Sequence, residues 1–414
     1  MKILLVNWSW YPTGGDWTYI VNVQKLYESR GYEIIPFSTH NKKNVPSPYS
    51  ENFVNAYDFK ELNANKNINN GIKALKTSVI SKDAVNKLEL LLSQHDIKVA
   101  HLHNIHHYIT PAIIEVLHEK GIKIIWTLHD FKIICPENSF FSNGNICEKC
   151  ITGDFYHCAS NLCKKQSFLA SSLASFEAYY YHRRHTYDLV DYYLCPSEFL
   201  LKKFVQFGFD KSKFQVTHSC YDISLIDNFI EDNPLSYTAA TEDKYVLYIG
   251  RLEDIKGVDT LIEAVKGTPV KLKIVGSGAS EQKFKDLASG CNNIEFLGFK
   301  NMPEIFMLTM KSLFVVCPSI CYENLPFSVI ESFLFSKPVV GAKIGGIPEL
   351  VIDGKTGLLF EAGNATDMRE KITYLWNHEN MAPELGKSSR EHAYEMVNFS
   401  NHWSKIESIL KKLS

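Results

Sequence analysis

Two carboxylates eight positions apart, Glu323 and Glu331, have the residue type and spacing to hold a ligand with two hydroxyl-bearing parts. They lie across a predicted strand-to-helix turn, because the apolar run from Phe314 to Val316 is typical of a buried strand. Pro326 fits the first helical position, where its missing N–H costs nothing. Free N–H groups and the positive dipole end at such a turn favour a diphosphate. The pattern therefore predicts a site for two sugars joined by a diphosphate, as in a nucleotide sugar.

A second predicted strand-to-helix turn carries two cations, Arg251 and Lys256, between Gly250 and Gly257. Arginine can bind phosphate oxygens with two parallel N–H bonds, and lysine adds a compact charge. Together they would offset the charge of a diphosphate without a metal ion. The sequence contains no Asp-x-Asp pair for a nucleotide-bound divalent cation, which also favours a reaction without a catalytic metal. Two solvent-exposed loop cations are the alternative interpretation.

Small residues and a histidine mark three further strand ends. Gly14 and Gly15 follow the first predicted strand, and Gly276 follows the strand from Leu272 to Val275. Glycine permits the close approach of a ligand, although a plain tight turn explains each position equally well. His129 ends another predicted strand, at the edge where parallel sheets bind ligands. A purely structural histidine is the alternative there.

Four histidines lie close together before this strand: His101, His103, His106 and His107. Alternation along a strand would point them to opposite faces, which argues against a shared metal ion. We expect this edge to contribute to acceptor binding instead.

Four cysteines follow one another at short spacing: Cys147, Cys150, Cys158 and Cys163. Four thiolates at such separations suit a tetrahedral structural zinc ion. Cys135 and His157 are substitute ligands, and a set of free thiols in a packed loop is the alternative. The pattern predicts a candidate structural zinc site that takes no direct part in catalysis.

The elements that must position these residues alternate between strand and helix along the whole chain. Its 414 residues favour two domains. Strands alternating with helices predict an α/β fold with two parallel, doubly wound sheets. We expect a first domain over residues 1–221, a linker over 222–243, a second domain over 244–385, and a C-terminal helical segment over 386–414.

Charge and hydropathy bear on whether the protein binds nucleic acid or a membrane. A net charge of −2 gives no electrostatic basis for nucleic-acid binding. No apolar run approaches the roughly 20 residues that cross a bilayer, so we expect a cytoplasmic protein. Residues 177–185 combine aromatic and basic side chains in a predicted helix. Its face could dock peripherally on an anionic membrane or a lipid-linked phosphate, and ordinary helix packing is the alternative.

The region from Tyr245 to Phe360 resembles a known family. After the two carboxylates come three motifs in the family order: Lys337-Pro338-Val339-Val340-Gly341, Gly345-Gly346-Ile347-Pro348-Glu349-Leu350-Val351 and Asp353-Gly354-Lys355-Thr356-Gly357-Leu358-Leu359-Phe360. This run is similar to the C-terminal half of retaining, nucleotide-sugar-dependent glycosyltransferases of family 4. The resemblance implies the GT-B fold, with two Rossmann-like domains facing across a cleft and the C-terminal segment packed back on the first.

The resemblance also implies donor-site roles in the second domain. Arg251 and Lys256 would bind the donor diphosphate, Glu331 the ribose hydroxyls and Glu323 the transferred sugar. The loop at Gly276 would lie near the nucleotide. Further contacts would come from the ring of Phe299 to the nucleobase and from the backbone amides around Asn324, Leu325 and Phe327 to the phosphate.

In the first domain the resemblance implies that Gly14 and Gly15 face the diphosphate and that His129 contacts the donor hexose. The cysteine-bearing loop would shape the acceptor side. The implied activity is transfer of a sugar from a UDP- or GDP-sugar, with retention, to a glycan or lipid-linked acceptor in cell-surface polysaccharide assembly. A catalytically silent nucleotide-sugar-binding scaffold is the alternative. A phosphorylase fits less well, because no motif places a lysine as a pyridoxal phosphate anchor.

Overall fold

A computed structural model describes residues 1–55, 79–106, 108–234 and 244–413. The chain divides into two compact units. The first comprises Met1–Asn143, Cys147–Cys220 and His402–Ser414, and the second comprises Gly144–Ile146 and Tyr221–Asn401.

The first unit contains a six-stranded parallel sheet in the order β2-β1-β3-β4-β7-β8. Its strands are β1 (Lys2–Val6), β2 (Glu33–Phe37), β3 (Ile97–Leu102), β4 (Lys123–Thr127), β7 (Tyr192–Cys195) and β8 (Phe214–Val216). Two short strands, β5 (Phe141–Ser142) and β6 (Asn145–Ile146), lie between β4 and β7 in the sequence. The helices up to β8 are α1 (Gly15–Ser29), α2 (Lys82–Gln94), α3 (Ala112–Glu119), α4 (Tyr156–Ser160), α5 (Phe168–Arg183) and α6 (Glu198–Phe207).

The second unit contains another six-stranded parallel sheet, in the order β11-β10-β9-β12-β13-β14. Its strands are β9 (Val246–Ile249), β10 (Leu272–Val275), β11 (Ile294–Gly298), β12 (Phe314–Cys317), β13 (Val339–Ala342) and β14 (Gly357–Phe360). The remaining helices are α7 (Ser224–Asp232), α8 (Val258–Val265), α9 (Glu281–Leu287), α10 (Met302–Lys311), α11 (Phe327–Leu334), α12 (Ile347–Leu350), α13 (Ala365–Asn377), α14 (Met381–Val397) and α15 (Phe399–Leu413).

Continuous apolar runs explain the parallel sheets, because helices cover both faces of such a sheet. In β1 every residue from Ile3 to Val6 is fully buried. In α1 the helical spacing of Tyr19, Val23, Leu26 and Tyr27 produces a buried face. The predicted α/β class with two Rossmann-like, doubly wound domains is confirmed.

The linker and the C-terminal segment differ from the sequence-based expectation. Residues Ser224–Asp232 form α7, whose Ile226 is buried in the core of the second unit; residues 235–243 of the expected linker lie outside the described residues. Helix α14 contributes Leu385, Ala393 and Val397 to that same core. The return to the first unit therefore begins at His402 rather than near residue 386.

Each sheet reverses its strand order once, and ligands of such folds bind at the carboxyl ends of the strands beside the reversal. In the second sheet the reversal lies between β9 and β12. In the first sheet it lies between β1 and β3. Within the described ranges, no helix has both the length and the apolarity to cross a membrane.

Candidate functional site

The loops that follow β9 and β12 bring together two residues that the sequence predicted separately. The Lys256 Nζ atom lies 2.6 Å from Glu323 Oε1. The Ser319 hydroxyl donates a hydrogen bond of 2.6 Å to the same carboxylate oxygen. Both charged side chains are largely buried. This pair lies beside the point of strand reversal, where the fold places ligands.

The environment keeps both members of the pair charged at neutral pH. Burial alone would lower the pKa of Lys256, but the neighbouring Glu323 carboxylate outweighs it and the net pKa is raised. Burial would likewise raise the pKa of Glu323, but Lys256, Ser319 and Arg251 together lower it. A buried ammonium and a buried carboxylate side by side can bind a phosphate and a hydroxyl group, respectively.

The glycine pair of the second motif supports the backbone of Glu323. The Gly346 N–H donates to the Glu323 carbonyl oxygen at 2.7 Å. Gly345 has a φ of +60°, and a Cβ atom there would lie 2.3 Å from the same carbonyl oxygen. Only glycine allows this close approach without displacing the loop.

Arg251 lies on the loop after β9 with an exposed guanidinium group. Its Nη1 atom lies 2.9 Å from Glu253 Oε1. Its carbonyl oxygen accepts a hydrogen bond of 2.9 Å from the buried Tyr248 hydroxyl, which fixes the backbone of the loop. Because exposed ion pairs contribute little, a phosphate can compete with Glu253 for the guanidinium.

Glu331 lies within α11, away from the charged pair. The Tyr221 hydroxyl donates to its Oε1 atom at 3.2 Å. Burial raises the pKa of Glu331 to about 7, although the hydrogen bond from Tyr221 opposes this effect. The carboxyl group is therefore poised between its neutral and charged forms near physiological pH, in contrast to Glu323.

The remaining predicted donor-site residues surround these loops. A Cβ atom at Gly276 would lie 1.8 Å from the Gly250 carbonyl oxygen, so the loops after β9 and β10 touch at two glycines. Phe299 follows β11 and is 79% exposed, which excludes a role in the core and leaves its ring free to stack. Three predicted phosphate-binding residues lie at the start of α11. Asn324 is half-buried and Leu325 is buried in the loop before the helix, and Phe327 is the first helical residue. Pro326 is the N-cap and not the first helical residue.

In the first unit, Gly14 is the N-cap of α1 with a φ of +136°, and Gly15 begins the helix. Both glycines are exposed. The Asn104 side-chain amide, on the loop after β3, donates to Asp16 Oδ2 at 3.0 Å. This bond joins the loop after β3 to the first turn of α1, beside the strand reversal of the first sheet.

His129 contacts His103, one of the four histidines that lie close together in the sequence. Its Nε2 atom lies 3.0 Å from His103 Nδ1. Burial lowers the pKa of His129 to about 4 although the Asp16 carboxylate opposes the shift, and burial also lowers the pKa of His103. Both imidazoles are therefore neutral at physiological pH.

The expectation that alternation separates the histidines is wrong for the two in and beside β3. His101 and His103 are two positions apart, so they lie on the same face, and their ring centroids are 4.4 Å apart. His106 packs against Trp126, and His107 lies outside the described residues. The two-residue spacing was the signal that could have revealed this contact.

A buried hydrogen-bond network on the same side of the sheet was not predicted. His101 Nε2 lies 2.7 Å from Thr127 Oγ1. Tyr19 joins this threonine to His402 of α15, with its hydroxyl oxygen 3.0 Å from His402 Nε2. The His402 Nδ1 atom lies 2.9 Å from the His218 carbonyl oxygen. These contacts tie the end of the chain to the first sheet.

The four predicted zinc ligands line one small cavity together with Cys135 and His157. Its volume of about 10 Å³ has room for about one water molecule. Cys158 and Cys163 share a hydrogen bond, and the Asn161 amide lies 3.8 Å from Cys147 Sγ. Within the part of the chain that the structure describes, no three His, Cys, Asp or Glu side chains are arranged to hold a metal ion. Zinc binding therefore stays a prediction.

Two family models match the chain. The model described as Glycosyltransferase Family 4 matches residues 13–225, and the model described as Glycosyl transferases group 1 matches residues 229–392.

Among curated proteins, an uncharacterized glycosyltransferase of Methanocaldococcus jannaschii is 36% identical over 35% of this chain and 42% of its own length. The O-antigen chain mannosyltransferase C of Escherichia coli is 27% identical over 37% of this chain and 43% of its own length. The chain thus spans less than half the length of either relative. Among solved structures, Anabaena HepE in complex with UDP-glucose aligns with 99% of this chain and all of its own, at 18% identity and a TM-score of 0.66.

Proposed function

Because this chain belongs to glycosyltransferase family 4, we propose that it transfers a sugar from a nucleoside diphosphate sugar to a hydroxyl group of a glycan or lipid-linked acceptor. The observation that carries the proposal is the buried Lys256–Glu323 pair beside the strand reversal of the second sheet. An ammonium group matches a diphosphate and a carboxylate matches sugar hydroxyls, so the pair recognises the two chemically distinct halves of such a donor.

The donor roles follow from the charge and position of each side chain. Lys256 and Arg251 stabilise the negative charge that grows on the departing diphosphate. Glu323 accepts hydrogen bonds from hydroxyl groups of the transferred sugar. Glu331, with the Tyr221 hydroxyl beside it, accepts hydrogen bonds from the ribose. The exposed ring of Phe299 stacks on the nucleobase. The complex of HepE with UDP-glucose supports a uridine donor, and a guanosine donor is the second candidate.

We propose that the transfer retains the anomeric configuration and proceeds without a catalytic metal. The acceptor oxygen attacks the anomeric carbon on the face from which the diphosphate leaves, and the departing phosphate oxygen takes the acceptor proton. The bond to the diphosphate breaks as the bond to the acceptor forms, so no protein nucleophile is required. Neutral His129 would hydrogen-bond a hydroxyl group of the transferred sugar, while Gly14 and Gly15 would leave room for the phosphates.

The proposed acceptor belongs to cell-surface polysaccharide assembly, and the proposed location is the cytoplasm or its membrane face. The similarity to the O-antigen chain mannosyltransferase supports this acceptor class. For the cysteine cavity we propose a structural zinc ion held by Cys147, Cys150, Cys158 and Cys163. Such an ion would order the loop and would supply no chemistry to the transfer.

Donor binding and donor hydrolysis by the purified protein test the proposal. Thermal shift with UDP, GDP and their sugars should identify one base, because a ligand at about 100 times its Kd stabilises the folded state by roughly 2.7 kcal/mol. Slow release of free sugar from that donor distinguishes an enzyme from a nucleotide-sugar-binding scaffold, for which binding occurs without hydrolysis. If none of these nucleotides and nucleotide sugars changes the melting temperature, both the enzyme and the scaffold interpretation are refuted.

A further inference from the structure

Helix α5 packs against the first unit through its small and polar side chains. Its buried residues are Ser171, Ala174, Ser175, Glu177, Ala178 and Tyr181. The Ser175 hydroxyl donates to the Phe155 carbonyl oxygen at 2.8 Å, and Glu177 forms an ion pair of 2.9 Å with the buried Lys132. Small and polar residues thus make up most of the buried face, and the large apolar residues of the helix other than Tyr181 lie outside it.

The opposite face of α5 carries those large apolar side chains into solvent. Phe168, Leu169 and Phe176 are 68%, 72% and 53% exposed. Leu173 and Tyr180 are half-buried on the same side. With 3.6 residues per turn, these five residues fall within an arc of about 140°. We call them the outer stripe. Their arrangement is the reverse of that in an ordinary surface helix, whose apolar side faces the core.

Cations lie at both ends of the outer stripe. Lys164 and Lys165 precede the helix, and Arg183 and Arg184 end it. Arg184 is held by Glu115 and Lys164 by Glu137. Lys165 and Arg183 are exposed, and Arg183 lies over the Tyr179 ring at 5.4 Å.

The carboxylates around the helix offset only part of this positive charge. Glu177 lies on the buried face and is paired with Lys132. Glu115 and Glu137 face Arg184 and Lys164, and Asp188 lies beyond the helix, paired with His185. The outward face thus combines apolar and aromatic side chains with one exposed cation at each end, Lys165 and Arg183, for which the described residues provide no ion pair.

From this arrangement we propose that the outer stripe inserts into the interfacial layer of an anionic lipid bilayer. Phe168, Leu169 and Phe176 enter the acyl boundary, while Lys165 and Arg183 contact lipid phosphates. Apolar and aromatic residues flanked by cations are the features that hold a helix in the plane of such an interface. Tyr180 can remain at the level of the headgroups, since its hydroxyl needs a polar partner.

The charges favour lipid over a second copy of the chain. Two α5 helices related by a two-fold axis would pack either parallel or antiparallel. Because both ends of the helix are basic, either arrangement would bring cations against cations, which is unfavourable. An anionic bilayer has the complementary charge along the whole helix.

The role of this docking, to bring the protein to a lipid-linked acceptor, rests on the proposed function. The test of docking itself requires no catalysis. The full chain is mixed with vesicles of phosphatidylcholine alone or with an equal part of phosphatidylglycerol, and the bound fraction is measured by flotation. We expect binding to the anionic vesicles that weakens as salt is added. Failure of the protein to float with these vesicles would overturn the proposal.

Three variants identify the surface. A triple variant with Phe168→Ser, Leu169→Ser and Phe176→Ser should bind anionic vesicles at least about tenfold more weakly. A double variant with Lys165→Glu and Arg183→Glu should lose the preference for phosphatidylglycerol. Leu90→Ser, on the exposed face of α2, is the control for the loss of a large apolar surface residue and should bind like the parent protein.

Two further measurements separate this proposal from the alternatives. A monomer by gel filtration is expected for the parent and the triple variant; a parent dimer that the triple substitution dissociates would assign the stripe to a second copy and overturn lipid docking. The thermal shift with the donor should be the same in the parent and triple variant, which shows that the variant is folded. Vesicle binding without any donor binding would refute the proposed sugar transfer but not the docking. Donor turnover without vesicle binding would refute the docking but not the transfer.

Discussion

Lys256 and Glu323 neutralise each other through a contact of 2.6 Å, although 67 positions separate them in the sequence. Removal of one charged side chain should destabilise the protein more than removal of both, because a single substitution leaves the other charge buried without its partner. In the proposed enzyme the donor would insert its phosphate and hydroxyl groups next to this pair. The pair therefore couples stability to donor recognition.

Replacement of Lys256 should test this coupling directly. We expect Lys256→Met to lower the free energy of unfolding by about 3 kcal/mol, since it leaves the Glu323 carboxylate uncompensated. The double variant with Glu323→Gln should be less destabilised than the sum of the two single variants. Urea denaturation of all four proteins measures the difference.

The surface pair Lys285–Glu281 on α9, at 2.7 Å, is the matched control for Lys256. Lys285→Met should change stability by less than about 0.5 kcal/mol. Equal effects of Lys256→Met and Lys285→Met would contradict the role assigned to the buried pair.

Glu331 should make stability depend on pH. Its pKa in the folded protein, about 7, lies above the ordinary value for glutamate. Folding favours the neutral form of this carboxyl group. Its contribution to the free energy of unfolding is therefore fully present below the pKa that the group has in the unfolded chain, and it is lost as the pH rises through about 7.

Glu331→Gln should remove that dependence of stability on pH, which we expect to amount to about 2.5 kcal/mol between pH 5 and 8. Thermal or urea unfolding of both proteins across this range provides the measurement. If the variant and parent curves are parallel, Glu331 is not the titrating group. In the parent, donor affinity should rise over the same pH range if the charged carboxylate binds the ribose.

His103 should act as a positioning residue for His129. Its Nε2 atom is buried and has no hydrogen-bond partner among the described residues, and a buried N–H without a partner is costlier than a lone pair. We therefore infer that His103 carries its proton on Nδ1 and donates it to His129 Nε2, which leaves a proton on His129 Nδ1.

His103→Phe should lower kcat at least about tenfold with little change in the donor KM, because it removes the hydrogen bond that orients His129. His103→Asn retains a donor close to the position of Nδ1 and should restore most of the activity. Equal loss in both variants at unchanged stability would show that donation from this position does not matter.

The cysteine cavity should bind one zinc ion per chain. Cys150→Ser removes a cavity-lining thiol and should abolish bound zinc and lower the melting temperature. Cys291→Ser, at a cysteine of the second unit that does not line the cavity, should change neither. Metal analysis of the three proteins purified without chelator measures the effect. A parent protein without zinc would disprove the site.

Gly345 should be required for donor binding because a side chain there would collide with Glu323, and not only because its backbone has a positive φ. Gly345→Ala drives a methyl group to 2.3 Å from the Glu323 carbonyl oxygen and should displace the carboxylate. Gly290→Ala shares a positive φ, but nothing lies within 4 Å of its added carbon. Isothermal titration with the donor should show a loss for Gly345→Ala only; equal affinity in the two variants would argue against this support.

The sheets could be predicted because many strands are short runs rich in apolar residues, which can be recognised from the local sequence alone, as in Phe314–Cys317. The contact between His103 and His129 joins two different strands, so it depends on a pairing that no local pattern specifies. The same holds for Lys256 and Glu323, whose residue types were predicted but whose ion pair was not.

Helix α5 was recognised only in part because its buried face is polar. The aromatic cluster near residues 177–185 indicated a helix, yet the helix is Phe168–Arg183 and Glu177 is buried rather than exposed. The Ser167 side chain caps it by accepting from the Ala170 N–H at 3.4 Å. With serine and alanine inside and phenylalanine outside, the usual periodicity of a surface helix is inverted.

The hydrogen bond between Tyr19 and His402 has a consequence for synthesis of the chain. Five side chains of the last helix, including His402 and Trp403, are buried. The first unit therefore lacks part of its interior until residues 402–413 have been synthesised. Truncation before His402 should therefore harm the first unit rather than the second, whose residues immediately precede that position.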